Sequence, residues 1–316
     1  MRDVSVKKVL KENFIYFALL TVFISFSILL RNDGFFTTGN LLNVLIQSAP
    51  IAIMAMFTCF VLSAREIDLS IGAIIGLSTL VAATSLQAGF HWILAALAAL
   101  LACSFAGFIN GFFVTVVKLP SFLTTLAFMG VITGIARWTT NLRTLSVGDR
   151  DFAAFFGGGK FYGIPSMILW AAVLLIIGYV ILQHTKFGAW VLAVGDNPVS
   201  AQSQGIKVSR VKMLVMVFSG FGAGLIGLLY AGRLESASYM MGSGDTLTVI
   251  AATVIGGTSL FGGKGSIPGL LAGSVLLGLL TNGLLLAGFS VTQQIIVQGL
   301  VLLLALSVSS KSKADN

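Results

Sequence analysis

Eight stretches of this chain contain no Asp, Glu, Lys or Arg: 14–30, 41–64, 69–117, 119–136, 161–185, 213–232, 246–263 and 265–310. A helix needs about 20 residues to cross a bilayer. The stretches 69–117 and 265–310 are long enough for two crossings each, with polar or Gly-rich breaks at "QAGFH" (87–91) and "LAGFS" (286–290). The pattern therefore predicts an all-α membrane protein of about ten transmembrane helices. The stretch 246–263 is short and rich in glycine, which reads as a broken or re-entrant helix. Only 9% of the residues are charged, against roughly 25% in a soluble domain, so lipid is the expected surroundings of most of residues 1–316, read as a single transmembrane domain.

An even number of crossings puts both termini on one side. If that side is the cytoplasm, the inner segments hold Arg2, Lys7, Lys8, Lys11, Arg65, Lys118, Lys186, Lys207, Arg210, Lys212, Lys264, Lys311 and Lys313. The outer segments hold Arg31, Arg137, Arg143, Arg150, Lys160 and Arg233. This bias follows the positive-inside rule. It also accounts for the net charge of +8 without a nucleic-acid partner, since no basic stripe interleaved with aromatics is present. The basic, then apolar, N-terminus ends at "LLRNDG" with no small-x-small cleavage site and reads as a retained first span.

The longest outer loop, about 137–164, reads as a connector or as a lid or docking surface facing outside solutes. Asn-Gly pairs recur in "GFINGFF" (107–113) and "GLLTNGLL" (278–285), five spans apart. An odd offset reverses direction in the membrane, so the repeat points to two inverted five-helix halves. Glycines four apart at 72/76, 107/111, 130/134, 220/224 and 269/273 are read as faces for close helix packing.

Catalysis is disfavoured. There is no His/Glu metal pair at helical spacing and no Ser with a nearby His and acid. Gly222, Gly224 and Gly227 spell G-x-G-x-x-G inside a span with no preceding strand, and "GTSLFGGKGS" (257–266) has its Lys one place late for a phosphate loop. An ATP site of this chain's own is therefore not expected. The two cysteines, Cys59 and Cys103, sit in apolar runs and read as buried small side chains. None of the eleven acids falls in the middle of a clear span, which argues against ion coupling. "SAREIDLSIGA" (63–73) places Arg65, Glu66 and Asp68 between two spans. Asp68 or Ser70 there either caps the next helix or belongs to a break that lines a solute path.

"GDNPVSAQSQGIKVSRVK" (195–212) is polar amid apolar sequence. Asn197 is a strong N-cap, Pro198 suits the first helical position and Gly205 is a good stop. The resulting two-turn helix is too short to hold itself in water. Ala201 and Gly205 leave room for a partner, and docking into a cytoplasmic protein fits better than lying on lipid.

Four stretches together resemble the permease subunits of ABC importers of the ribose, xylose and autoinducer-2 branch: "EIDLSIGAIIGL" (66–77), "HTKFGAWVLAVGDNPVSAQSQGIKVSRVK" (184–212), "VIAATVIGGTSLFGGKGS" (249–266) and "NGLLLAGFS" (282–290). The resemblance implies an importer subunit for a monosaccharide or similar neutral polyol in a bacterial inner membrane. ATP and Mg would be bound by partner cytoplasmic ATPase subunits and by no site in this chain. A second permease, identical or a sister, and a periplasmic binding protein would complete the assembly. Carried over onto this sequence, Asn197, Pro198, Ala201, Gly205 and Ile206 would couple to the ATPase. Asp68, Ser70, Thr246 and the "GGTS" of Gly256, Gly257, Thr258 and Ser259 are the pathway candidates. Arg65 and Glu66 stand where the family often has two glycines, and Thr246 and Thr248 where an acidic pair is common. A stand-alone ion-driven or facilitative carrier is the alternative.

Overall fold

The computed structural model describes residues 13–314. Arg2, Lys7, Lys8 and Lys11, counted above as inner charges, lie outside the described residues. Every predicted span contains a helix. They are α1 (Phe14–Leu29), α2 (Thr38–Ser63), α3 (Ile71–Gln87), α4 (Trp92–Thr115) and α5 (Ser121–Thr140), then, after the short α6 (Arg150–Ala153), α7 (Ser166–His184). Next come α8 (Lys186–Asp196), α9 (Pro198–Ser203), α10 (Val208–Leu234), α11 (Asp245–Ile255), α12 (Ile267–Leu286) and α13 (Val291–Ala314). Among the described residues six of these, α2, α4, α5, α7, α10 and α12, are long and apolar enough to cross a membrane. Gly89 and Gly288, both at φ near +80°, make the turns expected near 87–91 and 286–290.

In the stretch 246–263, read above as a broken or re-entrant helix, α11 has 11 residues, about 16 Å at 1.5 Å per residue, roughly half the hydrocarbon thickness. The chain then leaves the helix at Gly256. Helices α2, α10 and α12 form the centre, 61–78% of their apolar windows being buried, against 22–39% for α4, α5 and α7. The outer helices present Leu101, Phe105, Val131, Ile176 and Leu300 outward. Such a belt suits lipid and would be a liability in water.

Glycine decides how closely the central helices approach. A Cβ on Gly107 would lie 2.4 Å from the Met216 carbonyl, one on Gly220 2.4 Å from the Cys103 carbonyl, and one on Gly273 2.4 Å from the Ala252 carbonyl. The apparent nucleotide motif is explained the same way: Gly222, Gly224 and Gly227 lie inside α10, and Cβ atoms there would meet Phe57, Cys103 and Ser78. Gly130 and Gly134 are different, with nothing within 4 Å. We expect Gly107→Ala to lower the thermal unfolding midpoint in detergent and Gly134→Ala to leave it unchanged or raise it slightly, since Ala in an open helical site gains about 0.5–1 kcal/mol over Gly. Equal shifts would contradict this packing.

The loop predicted at 137–164 is a folded cap. A two-residue strand β1 (Leu145–Ser146) pairs with β4 (Ser236–Ala237), and β2 (Lys160–Phe161) with β3 (Ile164–Pro165). Phe155 and Phe156 pack among Trp92 and Trp170, and Gly157 lets the cap touch the Leu229 carbonyl of α10.

Candidate functional site

Two features set this bundle apart from a simple stack of helices: a polar break between α2 and α3, and a short outlying helix, α9. The break begins where α2 ends in a Schellman turn, with Glu66 N–H bonding the Val61 carbonyl and Arg65 N–H the Leu62 carbonyl. Arg65 takes the left-handed position, φ +65°, that glycine usually fills, which is the physical reason a glycine is favoured there. Glu66 is buried and forms an ion pair with Lys212 of α10. Residues 67–70 then form no regular secondary structure within the bundle, where unpaired backbone groups would be costly. Hydroxyls on α5 supply the partners: Ser121 accepts from the Ile67 N–H (3.0 Å) and Thr125 from the Leu69 N–H (3.0 Å).

Asp68 is the centre of this network. Its Oδ1 accepts from the Ser70 N–H (2.9 Å) and hydroxyl (2.6 Å), and its Oδ2 accepts from the Ser219 hydroxyl of α10 (2.7 Å). Ser70 in turn accepts from the Asn110 amide of α4 (2.8 Å). Ser219 lies seven residues beyond Lys212, so this network sits about 10 Å along α10 from the Glu66–Lys212 pair. Asp68 and Ser70 are 1% and 0% exposed. They therefore join helices. Neither side chain caps the first turn of α3 directly; Thr246 does, accepting from the Gly72 N–H (3.1 Å). A Cβ on Gly72 would fall 2.4 Å from the Gly242 carbonyl, so the first turns of α3 and α11 abut, each after an irregular segment.

The "GGTS" stretch ends α11 in another Schellman turn. The Thr258 N–H bonds the Thr253 carbonyl (3.1 Å) and the Gly257 N–H the Val254 carbonyl (2.9 Å), with Gly257 at φ +91°. Gly256 abuts the α12 backbone, where a Cβ would be 2.4 Å from Leu270. Thr258 is buried beside Cys59 (3.4 Å), Ser259 is half-buried and Gly257 is exposed. Beyond it, Gly263 N–H donates to the Ser63 carbonyl (3.0 Å), and a Cβ on Gly195 would be 1.7 Å from that same carbonyl. The end of α2, the end of α8 and the 259–265 turn are thus one tightly joined platform.

From that platform hangs α9. Asn197 caps it, its Oδ1 accepting from the N–H groups of Val199 (3.0 Å) and Ser200 (3.1 Å), and Pro198 occupies the first turn. The other end closes on Gly205, φ +81°, with the Gly205 N–H on the Gln202 carbonyl and the Ile206 N–H on the Ala201 carbonyl. Six residues are thereby held in a helix that would not persist alone. The expectation that Ala201 offers a contact face is corrected: it is 3% exposed and packed into the main core, as half-buried Ile206 is on its margin. The free face belongs instead to Val199 (74% exposed), Ser200, Gln202 and Ser203, flanked by exposed Asn197 and Gly205.

Two cavities among the described residues bear on the site. One of about 390 Å³ is walled by Phe187, Leu214, Val217, Phe218 and Phe221, with Ser104 its one hydroxyl, and holds little to recognise a polar solute. The other, about 380 Å³, lies between α2, the end of α10, the start of α11, α12 and α13 and is lined by both polar and apolar side chains. Sequence reasoning missed Ser121, Thr125, Asn110 and Ser219, since a lone hydroxyl or amide in an apolar helix has no local signature of a distant backbone partner.

Residues 40–306 match the family described as branched-chain amino acid transport system / permease component. The ribose import permease protein RbsC of Escherichia coli (strain K12) is 36% identical over 285 residues, 89% of this chain and 89% of that protein. RbsC of Bacillus subtilis (strain 168) is 36% identical over 90% of this chain and 88% of its own length. The L-arabinose ABC transporter permease protein AraH of Azospirillum brasilense is 34% identical over 86% of this chain and 80% of its own length. Among solved structures, PsaBC from Streptococcus pneumoniae in complex with Fab aligns with 86% of this chain at 18% identity and a TM-score of 0.44.

Proposed function

Because the chain belongs to the branched-chain amino acid transport system / permease component family, we propose that it is the transmembrane permease subunit of an ATP-driven importer for a monosaccharide or similar neutral polyol. Its relatives are named for ribose and L-arabinose. In this reading the protein is multi-pass in a bacterial inner membrane and pairs with a second permease. A periplasmic binding protein delivers the solute, and cytoplasmic ATPase subunits bind ATP and Mg. Both termini are cytoplasmic, and ten membrane elements form two inverted halves. The meeting of the α3 and α11 first turns, each following an irregular stretch, supports that symmetry, as do the matched Asn110-Gly111 and Asn282-Gly283 pairs.

The observation that carries the proposal is α9. It is capped at both ends, seated on the core through Ala201, and exposes a small face with an apolar Val199 at its tip. A lever must be stiff to transmit force between two packed arrangements. The Gly195 contact ties the end of α8, which leads into α9, to the end of α2, and the Glu66–Lys212 pair ties α10 to the break. A push on α9 therefore reaches the polar break, whose Asp68 network holds three helices in register.

Reconstitution with the cognate ATPase and binding protein tests this. Val199→Asp is expected to leave thermal unfolding unchanged, because Val199 is mostly exposed, and to cut ATP-driven uptake by about tenfold or more, as truncating or charging an interface anchor does. Uptake and stimulated hydrolysis equal to those of the unaltered protein would overturn the assignment. Uptake that follows an ion gradient without ATP would favour the carrier alternative.

A further inference from the structure

The cavity between α2 and α10–α13 lies at the other end of the bundle from α9. Tyr230 and Arg233 stand in its wall, more than twenty residues along α10 from Val208, a distance of about 30 Å. That is the thickness of the hydrocarbon core. If α9 faces the cytoplasm, the cavity belongs to the outer half of the protein.

Its lining is unusual for this chain. Gln47 of α2, Tyr230 and Arg233 of α10, Asp245 of α11, Thr281 of α12 and Gln298 of α13 converge from five helices. Some of their hydrogen-bonding capacity is used internally: the Tyr230 hydroxyl donates to Asp245 Oδ2 (2.7 Å), and the Gln298 amide donates to the Thr281 hydroxyl (2.9 Å). The rest is open. Among the described residues no hydrogen bond engages the Gln47 amide or Asp245 Oδ1, and Arg233 has no acidic partner at ion-pair distance. The open groups therefore include donors and acceptors, and the single positive and single negative charge offset one another. Pro50, Ile51, Val291 and Ile295 supply apolar wall between them.

We propose that this cavity is a binding site in the translocation path for a neutral polyhydroxylated solute of monosaccharide size. Hydroxyl groups both donate and accept, which suits a mixed amide, carboxylate and guanidinium lining. The C–H faces of a sugar ring suit the aliphatic wall. A volume of about 380 Å³ is at the small end for ligand pockets, which favours a small solute over a peptide or nucleotide. A solute with a net charge would leave either Arg233 or Asp245 facing a like charge. The site is built at the start of a half-length helix, where transporters place solute sites. The inference rests on the permease reading for its direction of access.

Cysteine protection tests it in the full-length chain. Cys59 and Cys103 are buried, so Thr281→Cys and, separately, Thr248→Cys place one accessible thiol each at the cavity. Right-side-out membrane vesicles are treated with a membrane-impermeant thiosulfonate, alone or with D-ribose, L-arabinose, D-xylose, D-glucose or glutamate. At least one neutral sugar is expected to slow labelling by about tenfold when present at about ten times its Kd, and glutamate is expected to have no effect. Equal labelling with every sugar of the panel up to molar concentration would overturn the proposal. So would labelling only by a bilayer-soluble reagent, which would mean that lipid or a second subunit fills the space. Protection needs no ATPase. Loss of protection with intact ATP-driven uptake sinks the cavity alone, whereas protection without ATP dependence sinks the importer reading alone.

Discussion

Replacing Asp68 with Ala is expected to lower the stability of the folded chain by about 3–5 kcal/mol, because three buried donors lose their only acceptor and each orphaned group costs about 1–3 kcal/mol before relaxation. The donors are the Ser70 N–H, the Ser70 hydroxyl and the Ser219 hydroxyl, and the Asn110 amide leans on Ser70 in turn. These groups lie at the N-cap of α3 and on α10 and α4, so the loss is shared by three helices and by the irregular backbone between α2 and α3. Asp68→Asn keeps the shape and one carbonyl acceptor and is expected to cost about half as much. The two buried cysteines give a direct readout: a thiol-reactive fluorophore reports their exposure as the protein is heated in detergent. An Ala variant that melts with the unaltered protein would show that the network is incidental.

The second large effect is expected at Gly195. A side chain there meets backbone on two sides, the Ser63 carbonyl at 1.7 Å and the Gly263 N–H at 2.6 Å from a Cβ. Backbone at the ends of packed helices cannot swing aside as a side-chain tip does. Gly195→Val is therefore expected to cost about 3 kcal/mol, the upper end of overpacking penalties. It is also expected to displace α9, which begins three residues on, and so to reduce ATP-driven uptake beyond any loss of protein. Gly205→Ala is the matched comparison. It has nothing within 4 Å and bears only the left-handed backbone at φ +81°, a cost of about 1–2 kcal/mol. Equal melting and equal transport for the two variants would refute the platform formed by α2, α8 and the 259–265 turn.

Much of this was legible in the sequence, and the illegible part has a common cause. The charge-free runs marked every long helix, the glycines at 89 and 288 marked the turns, and Asn197, Pro198 and Gly205 marked both ends of α9, since each signal lies within a few residues of its effect. The inward turn of Ala201 was not legible, because a two-turn helix with a small residue every fourth position has no apolar stripe to fix its rotation. The glycine pairs looked alike in sequence, yet Gly107 and Gly111 touch α10 while Gly130 and Gly134 touch nothing.

By itself, then, the sequence determined the solvent, the helices and the capped outlying turn, because lipid excludes charge and because caps and turns are local chemistry. The tertiary structure alone decided that Asp68 joins three helices, that Thr246 finishes the first turn of α3, and that polar residues from five helices share one cavity. In each case the partners are distant in the chain, and an isolated hydroxyl, amide or carboxylate does not say in advance which backbone or side chain packing will bring to it.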